Sequence, residues 1–192
     1  MKKFLTICVA VLAFSLCASA QRLALKNNFL YDATLTPNLS AELALGRKVT
    51  VDLGYGYNPF RKGQEVNWRH WLVQPEVRLW TCESFNGFFV GLHGHGGEYN
   101  ISGMNIPFIL QPHEDMAKHR YEGYFYGGGL SLGYQWMLSK RLNLEASVGA
   151  GYARAHYNKF DCGECGIRRG SAIADYVGIT KATLSLVWLI AL

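Results

Sequence analysis

The sequence predicts an all-β fold, an eight-stranded antiparallel up-and-down transmembrane β-barrel with short periplasmic turns and longer outer loops. Three observations predict it. Eight segments alternate an apolar with a small or polar residue at period two. Their connections alternate between short and long. Tyrosines and tryptophans gather near segment ends, where amphipathic rings favour a membrane interface.

In chain order, Lys2 and Lys3 precede an apolar run from Phe4 to Leu16, and Ala18-Ser19-Ala20 supplies an A-x-A cleavage pattern. Residues 1–20 read as a signal peptide and 21–192 as one domain exported to the outer membrane. The apolar run is too short for a helical anchor, and Leu16 is too bulky before a lipidated Cys17. Losing Lys2 and Lys3 lowers the formal charge of +5 by two. With no basic run, nothing suggests a nucleic-acid partner.

The eight segments are Leu23–Ala33, Leu39–Leu45, Val49–Tyr57, Trp68–Thr81, Phe88–Tyr99, Tyr124–Trp136, Leu142–Tyr157 and Tyr176–Ile190. The last is the clearest. Its even positions run from Tyr176 through Leu184 and Leu186 to Trp188 and Ile190, against Lys181, Thr183 and Ser185 at odd ones. A lysine in the middle of the less apolar face suggests a polar interior. Short connections fall at 46–48, 82–87 and 139–141, long ones at 58–67, 100–120 and 158–175. With the N-terminus in the periplasm, the short ones become periplasmic turns; only the first outer connection, 36–38, is short. Trp80, Trp136 and Trp188 would form the periplasmic girdle, and Tyr31, Tyr55, Tyr57, Tyr124 and Tyr152 the outer one.

Alternation sends Lys26, Glu42, Asp52, His70, Glu76, Arg78, His93, His95, Glu145 and Lys181 inward. Charges in a closed interior are costly unless paired, so these residues should form one polar network. In FVGLHGHGGE (Phe89–Glu98), a simple hairpin register would place His93 near Glu76 and His95 near Gln74. Two histidines are too few ligands for a metal site. The same run opens no helix and lacks the P-loop lysine, so it is no phosphate cradle. No cofactor is expected.

The loops hold two further candidates. Ile106, Pro107, Phe108, Ile109 and Leu110 are apolar residues in an outer loop, either a docking surface or a lid on the mouth. Cys162 and Cys165 sit in FDCGECG, where a redox pair, half a zinc site and a disulfide compete. An oxidising compartment favours the disulfide, leaving Cys82 as the odd thiol. His113-Glu114 with His119 misses the H-E-x-x-H spacing. No catalytic constellation emerges; a lipid-modifying enzyme would have to rely on His156 and Ser171.

The runs LALKNNFLYDATLTPNLSAEL (Leu23–Leu43), WRHWLVQPEVRLW (Trp68–Trp80) and DYVGITKATLSLVWLI (Asp175–Ile190) resemble an uncharacterised Bacteroidetes outer-membrane family, known only as a domain of unknown function. The resemblance implies a small OmpA-like barrel. Members are sometimes encoded beside fimbrial components, which implies a surface or fimbrial protein as partner, besides outer-membrane lipid. It implies no catalytic residues. The expected function is structural or surface-docking, with a lipid-modifying enzyme and a soluble lipocalin-like barrel as rivals. An eight-stranded barrel is just wide enough for its own side chains, so no solute pore is expected.

Overall fold

The computed structural model describes residues 23–62, 66–103, 119–161 and 166–190. Its strands are β1 (Leu23–Asn28), β2 (Asn38–Ala44), β3 (Val49–Asn58), β4 (Arg61–Lys62), β5 (Val66–Trp80), β6 (Gly87–Ser102), β7 (His119–Met137), β8 (Leu142–Asp161) and β9 (Arg168–Leu189). One short helix, α1 (Phe29–Ala33), follows β1. Each long strand pairs antiparallel with the next, β3 pairs with β5, and β9 returns to β1. The result is a ring of eight antiparallel strands, with the two-residue β4 paired to β5 at its rim.

Period-two alternation decides what lies on each side of this ring. Along β8, Leu142 and Val148 point out while Asn143, Glu145 and Ser147 are buried inside. On β7, Leu130 and Leu132 are 63% and 50% exposed, whereas Ser131 between them is 1% exposed. The outer face is therefore apolar and the interior polar, the inverse of a water-soluble protein.

At the short-turn end the interior closes with an apolar floor of Ala24, Ala44, Phe85, Val187 and Leu189. Phe85 comes from the turn after β5 and holds a left-handed backbone (φ 67°). Its carbonyl accepts a hydrogen bond from Asn143 Nδ2 at 3.1 Å, and its ring lies 6.1 Å from that of Trp80. Burial of the ring offsets the strain of that backbone.

Five expectations need correction. The segment Leu23–Ala33 is not one strand: β1 stops at Asn28, whose side chain caps α1 by accepting from Leu30 N at 3.1 Å. Tyr31 consequently lies half-buried beside Gly56, and not in an outward girdle. Trp80 is also inside, 1% exposed, with its indole N–H donating to Thr50 Oγ1 at 2.9 Å.

The alternation of Tyr176–Ile190 breaks at a β-bulge. Gly149 pairs with Lys181 but Ala150 with Ile179, so Thr180 is the extra residue. Below the bulge the even residues Leu184, Leu186 and Trp188 face out; above it Ile179 and Val177 do. Tyr176 therefore turns inward. Finally, β8 and β9 run far into the expected 158–175 loop, pairing from Phe160↔Arg168 down to Leu142↔Trp188. That stretch lacks an apolar face, so alternation alone did not reveal it. Cys162, Cys165 and Ile106 to Leu110 lie outside the described residues, as do residues 1–20.

Inward glycines make room for side chains that cross the ring. A Cβ on Gly133 would run into the Phe89 ring, which is fully buried and packs against the Trp80 ring 4.8 Å away. Gly133→Val should therefore destabilise the purified protein by about 1–3 kcal/mol. Gly46→Ala, with open space around it, should change stability by less than about 0.5 kcal/mol. Urea unfolding followed by tryptophan fluorescence reads both, and equal effects would refute the packing account.

Candidate functional site

The ladder brings acids together before it brings in any base. Glu42 on β2 is the direct partner of Asp52 on β3, and Asp52 is the partner of Glu76 on β5. Three carboxylates in one row repel one another. Glu145 approaches from β8, so four carboxylates converge on the same level of the interior.

Arg78, two residues from Glu76, answers all four. Its Nε donates to Glu76 Oε2 at 2.5 Å, its Nη1 to Glu42 and Glu145 at 2.9 Å each, and its Nη2 to Asp52 at 3.4 Å. Lys26 from β1 bridges Glu42 and Glu145, the latter at 2.8 Å. Lys181 from β9 reaches Glu76 at 2.6 Å. Three cations leave one carboxylate charge in excess, and hydroxyl donors cover it: Ser40 bonds Asp52, Thr50 bonds Glu42 and Ser131 bonds Glu76. Every charged member is buried. Such burial is tolerable only with this degree of pairing and hydrogen bonding.

Glycine and aromatic residues shape the network. Gly91 sits between Glu76 and Ser131, and a Cβ there would strike both side chains, so only glycine lets that bond cross β6. The Arg78 guanidinium lies 4.4 Å from the centre of the Phe89 ring, a cation–π contact that covers the network toward the floor. A cavity of about 40 Å³ beside Lys26, Asp52 and Arg78 is no larger than a few waters need.

Seven of the ten inward residues expected from the sequence thus meet in one ion-pair network: Lys26, Glu42, Asp52, Glu76, Arg78, Glu145 and Lys181. The three histidines do not join it. His93 pairs with Glu76 in register, yet its Nε2 lies 2.9 Å from Thr180 Oγ1. His95 holds the position opposite Gln74 implied by that register, which continues unshifted across Pro75. Its ring lies 5.8 Å from that of His93. His70 stacks edge-on with Trp68 at 5.4 Å and approaches Thr36 Oγ1 at 3.5 Å. Among the described residues no group of three His, Cys, Asp or Glu is placed to hold a metal ion.

Sequence reading overlooked Trp80 and the hydroxyls of Ser40, Thr50 and Ser131. Their parity was the available signal, because each shares a face with a charged inward residue. Two residues considered for catalysis lie elsewhere. His156 is on the outer face, stacked on Tyr124 at 4.8 Å, and Ser171 is exposed opposite Asn158. No hydrogen bond joins them. Nearby, Arg154 Nε donates to Asp175 Oδ1 at 2.7 Å on the exposed outer face. At the far end of the β8–β9 ladder, the Arg169 guanidinium, 3.0 Å from both oxygens of Asp161, holds that carboxyl below its ordinary range.

Arg78→Met should destabilise the protein by about 3–5 kcal/mol, since it strands buried carboxylates without their main counter-charge. Adding Glu42→Gln to that variant should recover more than about 1 kcal/mol through direct coupling. Denaturant unfolding of the four variants in a double-mutant cycle checks this; simple additivity would show that the network is not a unit.

No curated protein and no solved structure matches the chain significantly. A family model does, over residues 5–190, and it bears the description "Protein of unknown function (DUF3575)". A match of this extent, covering every strand of the ring and every member of its ion-pair network, places the chain in the DUF3575 family.

Proposed function

We propose that this protein is a small OmpA-like outer-membrane barrel whose plugged interior serves rigidity, and whose role is structural or surface-docking. One observation carries the reading: apolar side chains cover the outside while the charges are inside. In water that exposed belt would be far larger than the apolar patches soluble proteins tolerate, which disfavours a lipocalin-like soluble barrel. In a bilayer it is the required surface.

The belt has the right height. Ten steps along β8, from Leu142 to Tyr152, at about 3.3 Å each and a tilt of about 40°, rise about 25 Å. Trp136 and Trp188 stand exposed near one margin, and Tyr124, Tyr126 and Tyr152 near the other. Immediately beyond the tyrosines come Arg154 and Asp175, the first ion pair on the outer face of these strands. Aromatic rings at the interface and charges just outside it are the arrangement a membrane selects.

The short turns would then be periplasmic. The β8–β9 ladder would project outward past the headgroups, where a surface or fimbrial protein is the kind of partner it could meet. The segment Ile106 to Leu110 remains the docking candidate on sequence grounds, and a Bacteroidetes source rests on the sequence resemblance alone.

After an alkaline wash of cell membranes, the protein should stay in the sedimenting outer-membrane fraction and be released only by detergent. Recovery in the wash would refute membrane insertion. Reconstituted in planar bilayers, it should show no steady conductance, because the ion-pair network and the floor fill its lumen. A stable open channel would refute the plug.

A further inference from the structure

Above the ion-pair network the interior changes character. Between the histidines and the outer rim lies a chamber of about 450 Å³, a size typical of small-ligand sites. Its walls are mostly apolar, with Ile101, Phe125, Ala155 and Tyr176 among them. Two polar atoms in this wall are buried without a hydrogen-bond partner, Tyr99 Oη and His95 Nδ1, on residues 8% and 9% exposed. Buried polar atoms are rarely left unsatisfied, and those that are call for an explanation.

The chamber also reaches the side of the ring. β1 pairs with β9 only from Ala24↔Leu189 to Asn28↔Ser185. Above Ser185 no described strand covers that edge of β9. The Asn28 side chain satisfies Leu184 N at 3.1 Å and Ala182 O at 3.3 Å, and α1 packs there in place of a ladder. Leu30 of α1 and Ile179 and Ala182 of β9 line the chamber, yet Leu30 and Ile179 are also exposed outside. The break is flanked by Phe29 and Val177, both exposed and apolar. It lies below Asp175 and above Trp188, within the apolar belt. A wall held by side chains alone opens at less cost than a hydrogen-bonded ladder.

We propose that this chamber binds a single-chain amphiphile, a fatty-acid-like molecule that enters from the bilayer between α1 and β9. Its chain lies against Phe125, Ala155 and Tyr176, and its oxygenated head accepts a hydrogen bond from Tyr99 and meets His95. The inference rests on the membrane reading above and adds a ligand class to it.

The test uses the full protein in vesicles of phosphatidylethanolamine and phosphatidylglycerol carrying palmitate with a photoactivatable diazirine in its tail. After illumination, mass spectrometry should find adducts on chamber residues such as Phe125 and Tyr176, and on outward residues such as Leu130 and Leu132. Excess unlabelled palmitate should cut the chamber adducts at least tenfold and leave the outward ones. Ala155→Trp, which fills the chamber, should abolish chamber labelling. Tyr99→Phe keeps the ring and removes the hydroxyl, and should lower labelling about three- to tenfold; it serves even where the tryptophan variant fails to fold. Labelling of Leu130 and Leu132 with none in the chamber would overturn the inference alone. Chamber adducts that resist competition, or that Tyr99→Phe leaves unchanged, would overturn it too. Labelling of neither set would overturn the membrane reading, and the inference with it.

Discussion

Arg78 is the side chain on which this interior depends. Sheet register forces Glu42, Asp52 and Glu76 into one row on three consecutive strands, and Glu145 meets them from across the ring. Without a counter-charge at their centre, that row would drive the strands apart in a medium of low dielectric. A guanidinium suits the place because its donors spread in a planar fork and its charge does not titrate away. Lys26 and Lys181 supply the other two counter-charges from β1 and β9, so the network links β1, β2, β3, β5, β8 and β9. Much else follows from it. Glycine stands where those side chains must cross, and aromatic rings seal the network from the short-turn side.

Two departures from regularity create the space above. Asn28 ends β1 early by capping α1, while the bulge at Thr180 rotates the upper half of β9. Without the bulge, Val177 and Ile179 would fill the interior and Tyr176 would face out. With it, Thr180 and Lys181 both turn inward, one toward His93 and the other toward Glu76. The same bulge thus completes the ion-pair layer through Lys181 and begins the chamber at Thr180. On the membrane reading, rigidity belongs to the lower half and adaptability to the upper half, where side chains replace a strand pairing.

The histidine-glycine run after β5 illustrates how local pattern and global packing divide the work. Alternation was enough to turn His93 and His95 inward and to make the run a wall of the ring. It was not enough to separate them from the ions. That separation arises because Gly149 on β8 leaves the His93 ring room to reach Thr180 of the β9 bulge, and because His95 lies beyond the reach of the carboxylates. Trp80 shows the opposite failure. Its parity with Glu76 and Arg78 placed it inside, yet its position near a strand end favoured a girdle. Burial prevailed because Thr50 offers its indole N–H a partner and the Phe89 ring packs at a tilt against it.

By itself the sequence determined the strand count, the inner and outer faces over most of each strand, and the identity of the charges that had to be reconciled inside. All three rest on period-two alternation, a property of adjacent residues that survives without knowledge of partners. Which acid meets which base, where β1 gives way to a helix and where β9 slips by one residue were decided only in the tertiary structure. Those outcomes depend on register between strands up to 165 residues apart, as when Ala24 meets Leu189 to close the ring. No local pattern encodes a distance of that kind; closure of the sheet does.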